Sequence, residues 1–114
     1  MKYLMLVCRD PSIELTSEQR TTIGPEVEAW TQEMDGRGAR VQGQELAGVQ
    51  DATTIRVRGG EVVIADGPFA ETKEQLGGYY LLDCPDLDEA MKWAAQIPHA
   101  ALCAIEVRPV MVFG

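Results

Sequence analysis

The sequence predicts an α+β domain: a split βαβ arrangement with an antiparallel sheet and an added hairpin. Three observations predict it. Strand-like runs open and close the chain, two amphipathic helical patterns lie between them behind capping signals, and Gly59-Gly60 separates two alternating apolar segments. At 114 residues and 46% hydrophobic content, residues 1–114 suit one compact domain.

Residues 3–8 form a short apolar run bounded by Arg9, Asp10 and Pro11, which reads as a first strand. Thr16-Ser17-Glu18-Gln19 has the form of a capping box, and Ile23, Val27, Trp30 and Met34 follow at helical spacing. Pro25 predicts a kink or a late start, because an interior proline loses a hydrogen bond and clashes one turn back, at a cost of about 3 kcal/mol. Gly36 and Gly38 end the helix, and residues 39–46 are expected to be extended. Residues 53–58 and 61–65 then flank Gly59-Gly60, whose access to positive φ suits a type I′ or II′ turn. That turn sets a register: Val57 opposite Val62, Ile55 opposite Ile64, Arg58 opposite Glu61. A strand over residues 78–84 leads to Pro85-Asp86 and a second helix, capped by Asp86 and Glu89, with Leu87, Ala90, Met91, Ala94 and Ile97 as its expected buried stripe. Pro98 stops it, and residues 104–110 close the domain as a strand.

Strand, helix, several strands, helix, strand is the order of a ferredoxin-like fold. Two helices cover one face of a sheet. Yet Tyr3, Met5 and Val7 alternate with Leu4, Leu6 and Cys8, and Tyr79 and Leu81 alternate with Tyr80 and Leu82, so the central strands are apolar on both sides. At roughly 25 cal/mol per Å² of apolar surface, leaving one side wet forgoes several kcal/mol. A second copy of the chain, sheet against sheet, is the expected cover, which makes a homodimer.

A net charge of -8 and scattered arginines argue against nucleic acid as a partner. No apolar run approaches the roughly 20 residues needed to span a bilayer, and the first seven residues are short and weakly charged for a signal peptide, so no membrane partner and a cytoplasmic location are expected. Cys8, Cys84 and Cys103 lie far apart without a Cys-x-x-Cys pair and are expected to pack as small apolar residues. No nucleophile-elbow serine or phosphate loop is present, and without histidine or cysteine at ligand spacing neither a metal nor a cofactor is expected.

The segment Asp66-Gly67-Pro68-Phe69-Ala70-Glu71-Thr72-Lys73-Glu74-Gln75-Leu76-Gly77-Gly78-Tyr79-Tyr80 strongly resembles the DGPF subgroup of the YciI-like, YCII-related proteins. The likeness runs on through Asp86-Leu87-Asp88-Glu89-Ala90 and Trp93-Ala94-Ala95 to Ile105-Glu106-Val107-Arg108-Pro109-Val110. The resemblance implies a dimeric α/β-barrel built from ferredoxin-like halves, small cytoplasmic bacterial proteins, and frequent association of DGPF-type members with extracytoplasmic-function sigma factors. Some relatives act as enzymes, among them a dehydrochlorinase of aromatic-ring breakdown, and the wider family is credited with a His-Asp pair near the first helix. His99, the single histidine here, follows the second helix, so that pair does not carry over.

Two functions are open at this point: a small polar or aromatic molecule bound or converted, without a cofactor, in a cleft beside residues 66–78, or a non-catalytic regulatory contact with a sigma factor. In the first, Asp66 is the candidate catalytic proton carrier, its pKa raised by Phe69, Tyr79 and Tyr80; the alternative is a turn aspartate accepting backbone hydrogen bonds. Arg56 and Arg108 are candidate anion clamps, set against structural pairs of Arg58 with Glu61 and of Arg108 with Glu106 or a partner's acid. Tyr79 is a candidate hydrogen-bonding wall and otherwise core or interface. Glu71 and Lys73 are candidate contacts for a polar substrate, or part of a solvated loop. Gly67 and Gly77-Gly78 would hinge that loop if it were a lid. His99 is expected to be exposed or to contact a helix end.

Overall fold

The computed structural model describes residues 1–70 and 72–112. It contains β1 (Lys2–Arg9), α1 (Ser17–Gly36), β2 (Arg40–Glu45), β3 (Thr53–Arg58), β4 (Glu61–Asp66), β5 (Gln75–Asp83), α2 (Leu87–Gln96) and β6 (Ala104–Pro109), with 3-10 turns at Val49–Asp51 and Pro98–Ala101. Four strands form one antiparallel sheet in the order β2-β5-β1-β6, and β3 and β4 form a separate two-stranded hairpin. Without the hairpin this is the ferredoxin-like strand order. The sheet of the single chain is open and closes no barrel by itself: its edge strands β2 and β6 do not pair with each other.

Local chemistry explains the elements. The Thr16 hydroxyl accepts from the Gln19 N–H at 3.1 Å while the Gln19 side chain accepts from the Thr16 N–H at 2.8 Å, so the capping box is complete. Asp86 caps α2 by accepting from the Glu89 N–H at 2.9 Å. Pro25 neither delays nor splits α1, which runs unbroken across it. Thr21, one turn back, is exposed, so the carbonyl that proline leaves without a donor faces water. Gly59 and Gly60 take φ of 58° and 80°, the paired positive values of a type I′ turn, and every expected hairpin pairing forms.

Both helices lie on one face of the sheet, where Tyr3, Met5, Leu82, Trp30, Met34, Ala90, Trp93 and Ile97 make the core. The Trp30 Nε1–H donates to the Trp93 carbonyl at 3.1 Å and joins the helices, and Trp30 meets Tyr80 edge-on at 4.9 Å. The buried stripe of α2 is Ala90, Trp93 and Ala94; Leu87 and Met91, expected inside, are exposed. On the other face of the sheet, Leu4 and Leu6 of β1 pair with Leu81 and Tyr79 of β5, between Gln42 and Gln44 on one side and Arg108 and Glu106 on the other. Among the described residues no helix covers this half-buried apolar stripe. The hairpin extends from the sheet, giving a radius of gyration of 16.3 Å and a flat outline of 48 × 47 × 18 Å. A compact chain of this length has a radius near about 13 Å.

Candidate functional site

The chain from β4 to β5 is fixed at both ends by groups outside the Asp66 carboxylate. The Gly67 N–H donates to the Ala52 carbonyl at 2.7 Å and the Thr54 hydroxyl donates to the Gly67 carbonyl at 2.8 Å, with Gly67 at φ 95°. At the far end the Gln75 amide donates to the carbonyls of Ala70 and Thr72 at 3.1 and 2.9 Å. Gly77 and Gly78 lie inside β5, and a Cβ at Gly78 would sit 3.0 Å from the Gln44 carbonyl oxygen. Gly78 thus permits a close backbone approach to β2, and Gly77 lies at the register shift between β5 and β1.

This anchored loop walls a cavity of about 440 Å³. Pro68, Phe69, Gln75 and Leu76 form one side, and residues 46–49 and 51–54 the other. Leu46, Val49, Phe69 and Leu76 supply apolar surface, and Asp51, Thr53, Thr54 and Gln75 supply polar groups, the mixture that small-molecule sites use. The loop residues were legible as a candidate; the opposite wall was not, because its residues carry no motif.

The sequence-predicted residues fall into separate places. Asp66 ends β4 opposite Thr53, on the hairpin face that also carries Ile55, Val57, Val62 and Ile64. It is exposed, and no hydrogen bond to its carboxylate forms among the described residues. Arg56 lies on the other face opposite Val63 and reaches the Phe69 carbonyl at 3.4 Å. Lys73 is exposed in the loop and lines a different depression with Asp10 and Ile13. Tyr79 and Arg108 are on the open face of the sheet, where the Tyr79 hydroxyl donates to Gln42 Oε1 at 3.2 Å. Glu71 lies outside the described residues. Among the described residues Arg58 does not pair with Glu61, nor Arg108 with Glu106; Arg58 donates to the Val57 carbonyl at 2.9 Å.

His99 is a correction. It is half-buried on the turn after α2, and its Nδ1 is shielded from solvent without a hydrogen-bond partner among the described residues. An unmet buried polar atom costs about 1–3 kcal/mol. Burial lowers the imidazole pKa, with Glu45 pushing it up and Arg9 pushing it down, so the ring is neutral at pH 7. Arg9 at the end of β1 and Glu45 at the end of β2 meet His99 around two small cavities at this end of the sheet. No sequence motif announces the three, because they are far apart in the chain and only the antiparallel sheet brings their strand ends together.

The sequence matches the YCII-related domain family over residues 1–114. The chain belongs to that family. A curated relative, an uncharacterized protein of Rhizobium meliloti (strain 1021), is 48% identical over 64 residues, covering 54% of this chain and 52% of the relative. The match spans about half the length of that relative.

Thiol chemistry is disfavoured in this YCII-related chain. Cys84 is buried, Cys8 and Cys103 are half-buried, and burial is the main cause of a raised pKa at each. A thiol so placed holds its proton at neutral pH and is a poor nucleophile. Among the described residues no cluster of three or more His, Cys, Asp or Glu side chains is placed to hold a metal ion, and no helix is long and apolar enough to cross a membrane.

Proposed function

We propose that this chain, a DGPF-type member on the strength of its residues 66–69, binds a small polar or aromatic molecule in the cavity beside residues 66–78. The observation that carries the reading is the cavity itself, whose 440 Å³ lies in the range of about 300–1,000 Å³ used for small ligands. Phe69, 79% exposed, offers a ring for stacking. Asp66 stands across from the wall residue Thr53, so its carboxylate belongs at the rim, where it would carry a proton to or from the ligand. Arg56, bonded to the Phe69 carbonyl, is the nearer anion clamp. Glu71 and Lys73 are the remaining loop candidates. Tyr79 and Arg108 belong to the open sheet face and would act on a ligand only if a second chain closed over that face.

That second chain is part of the proposal. The hairpin leaves Ile55, Val57, Val62 and Ile64 between 58% and 65% exposed on one face, and covering them is worth roughly 4–7 kcal/mol. A homodimer in which the partner covers the hairpin and the open sheet face accounts for both surfaces at once.

Thermal-shift measurements with small carboxylic acids and phenols test the ligand reading. A ligand raises the Tm of the wild type and of Asp66→Asn, and the rise is lost in Leu76→Asp, which places a charge in the cavity wall. No shift with any compound removes the reading. The exposure of Phe69 and of the hairpin then favours the alternative, a regulatory contact with an extracytoplasmic-function sigma factor made by the same surfaces.

A further inference from the structure

A second cavity, of about 160 Å³, lies at the end of the sheet between the β1–α1 connection and the turn after α2. It shares no wall residue with the loop cavity. Its size is close to the about 150 Å³ that holds a benzene molecule in a protein interior. Ile13, Leu15, Ile23 and Leu102 make its walls apolar, and Arg9, Glu45 and His99 stand around it.

Two of the charges there are uncommitted. Asp10, also at the wall, is occupied: it accepts from the Ser12 N–H at 2.9 Å and from the Ser12 hydroxyl at 2.7 Å, which hold its carboxyl below the usual range. Arg9 and Glu45 form no ion pair with each other or with another side chain among the described residues. Both nonetheless line this cavity and two neighbouring ones. A simple carboxylate ligand would meet Arg9 but be repelled by Glu45, and a simple amine would meet the reverse. A molecule carrying both charges answers both groups.

We infer that Arg9, Glu45 and the apolar walls around them form a binding site for a small zwitterionic α-amino acid with a branched aliphatic side chain. Arg9 takes the carboxylate, Glu45 takes the ammonium, and Ile13, Leu15, Ile23 and Leu102 take the hydrocarbon. A neutral His99 adds no positive charge to oppose the ammonium. The site does not depend on the loop cavity being a ligand site.

Methyl NMR titration of the full chain with L-leucine, 4-methylpentanoate and 3-methylbutylamine tests this. L-leucine shifts the methyl signals of Ile13, Leu15, Ile23 and Leu102 and leaves Leu76 in place, whereas each single-charge analogue binds at least about tenfold more weakly. Arg9→Gln and Glu45→Gln each weaken L-leucine by about tenfold. Both positions are exposed, so these variants keep the fold, and their amide spectra verify it. Three results overturn the proposal: no shift with L-leucine, equal affinity for the three probes, or L-leucine binding indifferent to both substitutions. Shifts confined to Leu46 and Leu76 also overturn it, and would place the molecule in the loop cavity instead.

Discussion

The four-stranded sheet and the β3–β4 hairpin use the same antiparallel pairing, yet they are held in place by different forces. In the sheet, each core residue of β1 and β5 is packed beneath a helix: Met5 and Leu82 are completely buried. In the hairpin, all six residues of β4 are exposed, so its order comes from its own ladder, a type I′ turn and the Thr54 bond to Gly67. An isolated two-stranded hairpin is marginal in water. The contrast teaches that backbone pairing fixes a register, while burial decides how firmly an element is held.

Substitutions in the two regions should therefore differ most in the core. Leu82→Ala empties a fully enclosed position and should lower unfolding free energy by about 2–5 kcal/mol in chemical denaturation. Ile64→Ala on the hairpin should cost under about 0.5 kcal/mol when the chain is monomeric. Equal losses would show that the hairpin is part of the core. Trp30→Phe keeps most of the packing but strips the donor from the Trp93 carbonyl, for an expected loss of about 1–3 kcal/mol.

Thr54→Val removes the hydroxyl bond to Gly67 and should cost about 1 kcal/mol, read as faster amide exchange at residues 66–68 with β1 unchanged. His99 gives a pH signature at the sheet's end. Burial, opposed by Glu45 and assisted by Arg9, lowers its folded pKa, so below the unfolded value of about 6.5 the unfolded chain binds the proton more readily. Stability should be full above that value and fall as pH drops through it toward the folded pKa. Replacing His99 with Asn should flatten this part of the curve, and an unchanged curve would mean that the ring titrates normally.

Features governed by neighbours in the chain were the legible ones. The Thr16 capping box, the Gly59-Gly60 turn and the hairpin register follow from local backbone chemistry, and the alternation in β1 and β5 correctly marked two apolar faces. The misreadings share a cause, which is that tertiary context decides them. On α2, Trp93 joins Ala90, Ala94 and Ile97 on the buried side in place of Leu87 and Met91, and its carbonyl accepts from the Trp30 indole. Gly43 and Gly78 permit close strand approach, since a Cβ on Gly43 would fall 2.5 Å from Tyr80 Cδ1. Of the candidate site, the loop wall was readable from its residues, whereas Thr54 and the Arg9, Glu45 and His99 grouping emerge only once the strands are aligned.

The proposed dimer places a second copy of the chain over the apolar hairpin face and the open sheet face. Sedimentation equilibrium of the wild type beside Ile64→Asp tests it most directly. A dimer gives twice the 12.5 kDa chain mass for the wild type and a shift toward the single-chain mass for the variant, with the helix-covered core still folded. A wild type that stays at the single-chain mass across the concentration range would contradict it.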